Sequence, residues 1–444
     1  MFTLIKNFLI KTDLAIKPTI IPRDEHIISR SNISDNALTV LRRLKKAGFE
    51  AYLVGGGVRD LLLGREPKDF DVATDASPEQ VKQTFKNCRL IGRRFRLAHI
   101  HFGRDIIEVA TFRGNHSDQS DDISQQSEQG MLLRDNVFGT IEEDAIRRDF
   151  TVNALFYNIR DFSIIDYVGG VEDIQAGHLR LIGDPETRYR EDPVRMLRAA
   201  RFAAKLGFTI DEETAEPISR LACLLEDVPS ACMFEEVLKL FLGGSAVHTF
   251  EKLRQYGLFA QLFPQTEKAL EFEDHDFPIQ FVLKGLINTD KRIRENKPVT
   301  PAFLFAVLLW EPVRALFNEK LETQKVAQTA MFDAADQILA RQLPVISIPR
   351  RFTGQMKEIW NMQLRLEKSR SNSRARKLIE HPRFRASYDF LLLRAESGEV
   401  EQEQADWWTT FQENPEIELP KKSGRRRSRN RKRKPGKKSH APGL

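Results

Sequence analysis

The chain has 444 residues, 41% hydrophobic and 30% charged, which is length for two to four domains and a sizeable core. No apolar run approaches the ~18 residues of a membrane span, and the longest, Ala302–Trp310, is too short, so no membrane span is expected. Only three cysteines occur, Cys88, Cys223 and Cys232, with no C-x-x-C pair, which excludes a disulfide scaffold or a cysteine zinc site and fits a reducing cytoplasm.

The first ten residues, Met1–Ile10, are apolar with one lysine, but no small-residue cleavage site follows, so no secretory signal is expected. The net charge of +6 is unevenly placed. Lys421–Lys438 carries twelve Lys/Arg and no acid; without those twelve the chain has 57 bases against 63 acids, a net of −6. A cationic arm on a mildly acidic body points to a polyanionic partner.

Residues 1–30 read as a flexible lead-in. A helix follows, capped by Ser34, with Ala37, Val40, Leu41 and Leu44 as its apolar stripe and Gly48 as its stop. Ala51–Val54 reads as a short buried strand, and Gly55-Gly56-Gly57 turns it into a helical segment, Val58–Leu63. Asp69–Ala73 reads as a second strand. Ser77-Pro78 opens a helix through Phe85. Leu97–Phe102 and Ile106–Phe112 read as strands joined by Gly103-Arg104-Asp105.

His116–Gly130, rich in serine and glutamine, cannot bury a core and reads as a mobile loop. From about Asp184 the pattern turns helical: Pro193–Leu206, closed by Gly207, then 231–243, 248–262, 276–290, 301–318, 324–341 and 352–380. After Trp408 the chain becomes polar, and from Lys421 it is low-complexity and basic. The expected fold is therefore α+β. A head with a small mixed β-sheet and helices (31–175) precedes an all-α neck (176–245) and body (246–410), and a disordered basic tail (411–444) closes the chain.

The chemistry gathers at Gly55-Gly56-Gly57-Val58-Arg59-Asp60 and Asp69-Phe70-Asp71. Residues i and i+2 of a strand share a face, so Asp69 and Asp71 would present two carboxylates side by side. Such a pair repels itself unless a cation lies between, and hard divalent ions take carboxylate oxygens. Glycines let backbone N–H groups approach a phosphate, and Arg59 adds a full charge. A carboxylate-held metal beside a phosphate cradle suits phosphoryl or nucleotidyl transfer. Alone, D-x-D is most often a solvated pair and GGG a plain turn. Fourteen residues apart, in strand–turn–helix then strand order, they are harder to ascribe to chance. Two acids compete for a third metal position: Glu108, on a strand that could pair beside the D-x-D, and Asp149, which shares a helical face with Asn153 four residues on.

A second constellation is Glu191-Asp192-Pro193-Val194-Arg195. Asp192 as cap and Pro193 as first helical residue explain themselves structurally. The stripe Arg195, Arg198, Arg201 and Lys205 reads either as a solvated basic face or as part of a base-reading site. Asp192 accepting from an exocyclic amine while Arg195 donates to a ring nitrogen would select adenine and cytosine, without separating them.

Leu53–Asp60, Asp69-Phe70-Asp71-Val72, Arg147-Arg148-Asp149-Phe150-Thr151-Val152-Asn153 and Glu191–Arg195 resemble, in order, the motifs of the class II nucleotidyltransferases, which join bacterial poly(A) polymerases and CCA-adding tRNA nucleotidyltransferases. The likeness runs from about Ile21 to Ala395. Leu90-Ile91-Gly92-Arg93-Arg94-Phe95-Arg96-Leu97-Ala98-His99-Ile100 and the arginine-rich tail resemble the poly(A) polymerase branch. The resemblance implies catalytic roles for Asp69, Asp71 and Asp149, with Asp69 and Asp71 as metal ligands and Glu108 as a rival to Asp149. It implies ribose contacts from Arg148 and Asn153 and base reading by Glu191, Asp192 and Arg195; Gly55, Gly56 and Arg59 of the phosphate cradle and Arg198 of the basic stripe are the other candidates for nucleotide contact.

The expected reaction is template-independent transfer of AMP from ATP to an RNA 3′-hydroxyl, releasing pyrophosphate, with two Mg²⁺ (or Mn²⁺) roughly 3.5–4 Å apart on Asp69 and Asp71. Arg93, Arg94 and Arg96 are candidates for shaping the choice of A. Arg425, Arg426, Arg427, Arg429, Arg431, Lys432, Arg433 and Lys434 would draw RNA without reading it. RNA 3′ ends, ATP and RNA-decay proteins are the expected partners. A CCA-adding enzyme is the nearest rival; a non-catalytic RNA-binding protein explains the tail but not the D-x-D beneath a glycine turn.

Overall fold

The computed structural model describes residues 17–92, 96–114, 124–126, 132–135, 138–271, 273–274, 277–278, 280–368 and 372–413. Its head is a sheet of eight strands. β1 (Thr19–Ile21), β2 (Ala51–Val54), β3 (Asp71–Thr74), β4 (Cys88–Ile91), β5 (Leu97–Phe102) and β6 (Asp105–Thr111) come first in the chain; β7 (Ser124–Gln126) and β8 (Leu132–Asp135) form a separate hairpin; β9 (Leu155–Tyr157) and β10 (Ile164–Asp166) complete the large sheet. The order is β1-β10-β9-β2-β3-β6-β5-β4, antiparallel except for the parallel pair β3–β6.

Side-chain alternation fixes what each face does. Leu53, Val72, Val109 and Ala98 fall in one cross-strand row and enter the main core. Helix α1 (Asp35–Lys46) contributes buried Ala37, Leu38, Val40, Leu41 and Leu44 to that core, and Ser34 Oγ accepts from Ala37 N at 3.1 Å as its cap. Burying a leucine-sized side chain contributes about 1.5–3 kcal/mol, so this stripe fixes the sheet's register. The next row, one residue along, is Val54, Asp71, Glu108, His99 and Arg89, on the opposite face.

After α2 (Gly56–Leu62), α3 (Pro78–Thr84) and α4 (Ile141–Arg147), the chain runs through α5 (Gly170–Ala176), α6 (Pro185–Glu191), α7 (Val194–Leu206), α8 (Glu212–Leu221) and α9 (Ser230–Phe241); among the described residues beyond, the elements are helices but for a short hairpin, Glu273–Asp274 with Phe277–Pro278. Arg188 on α6 sends Nη2 to the carbonyls of Arg147 (2.7 Å) and Arg148 (2.8 Å), stitching the neck onto the end of α4.

Several expectations shift. The second strand starts at Asp71, not Asp69, because the chain before it runs outside the sheet. Within the polar stretch 116–130, Ser124–Gln126 pairs as a strand with Leu132–Asp135; the rest of it lies outside the described residues. The segment 248–262 breaks at Gly257, whose φ of +69° ends one helix. The segment 301–318 splits at Leu309, so that Pro312 falls in the first turn of a new helix, where a missing N–H is tolerated. The segment 352–380 gives helices Arg350–Lys368 and Asn372–Ile379.

Among the described residues no single helix is long and apolar enough to cross a membrane, although the bent pair Pro301–Leu308 and Trp310–Thr323 passes that test together. The apolar residues of Pro301–Leu308 lie in the protein core.

Candidate active site

A cavity of about 530 Å³ lies between the outer row of the sheet and the helices α6, α7 and α9. Asp71 and Glu108 line it from the sheet, Arg148 from the end of α4, Asp192, Arg195 and Arg198 from the neck. The sequence motifs thus converge although they span 128 positions, from 71 to 198.

Asp71 opens β3 against the glycine bend. Gly55 has φ +75°, a backbone shape that favours glycine, and a Cβ there would lie in van der Waals contact with Arg148 Nη1 (3.6 Å) and Asp71 Oδ2 (3.8 Å). Asp69 is exposed, two residues ahead of the strand; it does not line the cavity, but its charge bears on Asp71. Burial first, then the Glu108 and Asp69 charges, push the Asp71 carboxyl up to about 6 against the pull of Arg148. Among the described residues no three His, Cys, Asp or Glu side chains form a ready-made metal cluster. Magnesium asks for less, commonly one or two carboxylates with substrate phosphates and water. A half-buried acid pressed by two other acids, its charge only partly offset by Arg148, is a donor set that fits a divalent ion shared with a nucleotide.

The rival acids separate. Glu108 stands directly beside Asp71 in the parallel register. Asp149 also lines the cavity, but both its oxygens are engaged: Oδ1 accepts from Phe150 N (2.8 Å) and Asn153 Nδ2 (3.1 Å), and Oδ2 accepts from Arg198 Nε (2.8 Å) and Nη2. Burial alone would raise this acid, but the Arg198 charge and these hydrogen bonds hold it at about 2. In this arrangement Asp149 anchors Arg198. Asp149 and Asn153 meet across a 3-10 turn, Thr151–Asn153, rather than on an α-helix.

Arg59 departs from its expected place. It is buried, donates to Asp60 Oδ1 through Nε (2.9 Å) and Nη2 (2.6 Å) and to Asn153 Oδ1 through Nη1 (2.6 Å), and stacks over Phe202. It does not line the cavity, because its charge is spent on the acid next to it. A Cβ on Gly56 would lie 3.4 Å from Arg59 Nη2, in contact with the inward-folded guanidinium. Asn153, buried and engaged at both ends, reaches the cavity only through Asp149 and Arg198.

Asp192 is not a helix cap: α7 has no side-chain cap, and the Asp192 carboxylate makes no hydrogen bond among the described residues. It is left facing the cavity. Arg195 is held by the Arg188 carbonyl (2.7 Å) and by Glu191 Oε2 (3.0 Å), which also takes Arg188 Nη1 (2.6 Å). Of the basic stripe, Arg195 is buried and Arg198 and Arg201 are half-buried, while Lys205 is exposed. Burial lowers the Arg201 guanidinium to about 10, with Arg198 adding repulsion, and lowers Lys205 as well.

The motif reading did not single out Asp144, Arg188 or Glu236. Asp144 accepts from Arg148 Nε and Nη2 (3.0 and 2.7 Å), an i,i+4 pair legible in the sequence. Arg188 and Glu191 are an i,i+3 pair of the same kind. Glu236 reaches the cavity from α9 and no local signal marks it. Arg93, Arg94 and the tail from 414 onward, with all eight basic residues from Arg425 to Lys434, lie outside the described residues; Arg96 pairs with Glu79 at 2.6 Å.

Three family models match: the Poly A polymerase head domain at 51–180, the probable RNA and SrmB-binding site of polymerase A at 207–270, and the polymerase A arginine-rich C-terminus at 323–440. The chain is 51% identical over 466 aligned positions to Poly(A) polymerase I of Salmonella typhimurium, covering 98% of this chain and 99% of that one. It is 37% identical over 228 positions to the CC-adding tRNA nucleotidyltransferase of Halalkalibacterium halodurans, covering 51% and 54%. Among solved structures, the Bacillus stearothermophilus CCA-adding enzyme in complex with CTP aligns with a TM-score of 0.53 at 26% identity, covering 85% of this chain and 80% of that one. With a relative this similar from end to end, and with the head and arginine-rich models both matched, the chain belongs to the bacterial poly(A) polymerase family of nucleotidyltransferases.

Proposed function

We propose that this polynucleotide adenylyltransferase extends RNA 3′ ends with AMP from ATP in the cavity between sheet and neck. The observation that carries this reading is Asp71, set against the Gly55 bend on one wall, with Asp192 and Arg195 on the other. The RNA 3′-hydroxyl oxygen forms a bond to the α-phosphorus of ATP, the bond to the pyrophosphate oxygen breaks, and the hydroxyl proton is lost to solvent. Asp69 and Asp71 would hold Mg²⁺ or Mn²⁺, which when bound lowers the pKa of the attacking hydroxyl and offsets charge on the triphosphate.

The chain's own groups do the rest. Gly55 and Gly56, without side chains, leave their backbone open to the triphosphate. Arg148 and Arg198, held by Asp144 and Asp149, face the phosphates and ribose from fixed directions. Asp192 accepts from the adenine amine and Arg195 donates to the ring nitrogen, with Glu191 and Arg188 fixing the latter. The family match through residue 440 supports the tail as a sequence-independent RNA tether. RNA-decay proteins as partners and the cytoplasm as compartment complete the reading.

Alanine at Asp69 or Asp71 should abolish ATP incorporation into RNA; near wild-type turnover by either would refute the assignment. Because Asp192 and Arg195 suit cytosine as well as adenine, CCA addition is the second reading. RNA of arbitrary sequence offered with ATP or CTP separates them: long A tails support the first, arrest after a few residues on tRNA-like ends the second.

A further inference from the structure

The block Leu90–Ile100 has no role in the reaction as described, yet its last part is strand β5, which runs beside the catalytic acids. Strand registers set Asp71 on β3, Glu108 on β6, His99 on β5 and Arg89 on β4 in one row across the same sheet face. His99 Nε2 lies 3.2 Å from Glu108 Oε1. That nitrogen is buried and has no aligned hydrogen-bond acceptor, so Glu108 is the acceptor nearest to satisfying it. The Glu108 side chain is 48% exposed and has no other partner among the described residues, so nothing else fixes its carboxylate.

We infer that His99 is a positioning residue, taking one oxygen of Glu108 so that the other is kept for the divalent ion at Asp71. The inference rests on the proposed reading of Asp71 as a metal-holding acid. A free glutamate on an exposed strand samples several rotamers, and ordering it at the moment of ion binding costs side-chain entropy. A donor on the far side of Glu108 from Asp71 removes part of that cost in advance. Partners of this kind commonly matter tenfold or more in metal affinity. Part of the block that marks the poly(A) polymerase branch thus acts on the metal site from behind.

Mn²⁺ alone, titrated into the full-length chain and followed by loss of its free electron-paramagnetic signal, reads the acids without turnover. His99→Leu keeps bulk and removes the donor; His99→Gln keeps an N–H. His99→Leu should weaken Mn²⁺ binding about tenfold and lower kcat with KM for ATP unchanged, while His99→Gln should retain most of both. In a Glu108→Gln background, His99→Leu should add nothing. Mn²⁺ binding by His99→Leu as tight as in the wild type, or a loss fully additive with Glu108→Gln, would overturn the inference. Should His99→Leu not fold, His99→Asn, too short to reach Glu108, takes its place with the same outcomes. Asp71→Ala separates the two levels: if it binds Mn²⁺ and incorporates ATP normally, the underlying reading fails; if it is inactive while His99→Leu is normal, only the inference fails.

Discussion

Asp149 and Arg198 lie 49 positions apart and form a two-armed ion pair that ties the turn after α4 to helix α7. Through Asn153 the same acid connects to buried Arg59, which in turn holds Asp60. The head and neck walls of the cavity are therefore joined by one charged network beneath the nucleotide site.

That network makes a pH prediction. Asp149, ordinarily near 3.8, is held at about 2, so its stabilisation is present above 3.8 and is lost as pH falls through about 2. The amount is on the order of 2 kcal/mol. Asp149→Asn should lower the urea midpoint at pH 7 but have a shrinking effect below pH 3.8. An effect that grows as the pH falls would contradict the pairing.

Arg59→Met should destabilise the fold by roughly 3–5 kcal/mol, since it strands Asp60 and Asn153. Denaturant unfolding measures it. If Arg59 instead gripped phosphate, the substitution would raise KM for ATP and leave the unfolding midpoint in place.

Gly55→Ala puts a side chain on a φ of +75°, in direct contact with Arg148 and Asp71. It should cost about 1–2 kcal/mol of stability and a disproportionate share of activity, because the strain falls on the D-x-D. Unfolding and incorporation assays on one preparation separate the two effects. Wild-type activity in this variant would show that the bend is not matched to the acid.

Asp192→Asn exchanges an acceptor for a group that can donate, and should cut discrimination between ATP and GTP by a factor of about 10 or more. Competition between labelled nucleotides measures it. Unchanged discrimination would move base reading away from Asp192 and Arg195.

Removing residues after Pro420 should weaken binding to single-stranded RNA and flatten its dependence on salt, because the lost cations release counterions from phosphate. Equal salt slopes with and without the segment would end its assignment as an RNA tether.

The local code of this chain decided a good deal. Ser34 as cap, the stripe from Ala37 to Leu44, the glycine bend and the helix closed by Gly207 depend on neighbours within a few positions, and they form as the pattern dictates. The four motifs, in order, carry the family by themselves. What the linear code left open was which acid stands beside Asp71 and where each arginine spends its charge. Glu108 reaches Asp71 because β3 and β6 pair in parallel, 37 residues apart, in a register set by Val72 and Val109 entering the core. Asp149 is drawn aside by Arg198, and Arg59 turns inward to Asp60 and Asn153. An ion pair between distant segments exists only once packing has brought them together, so its partners have no signature in the sequence around either one.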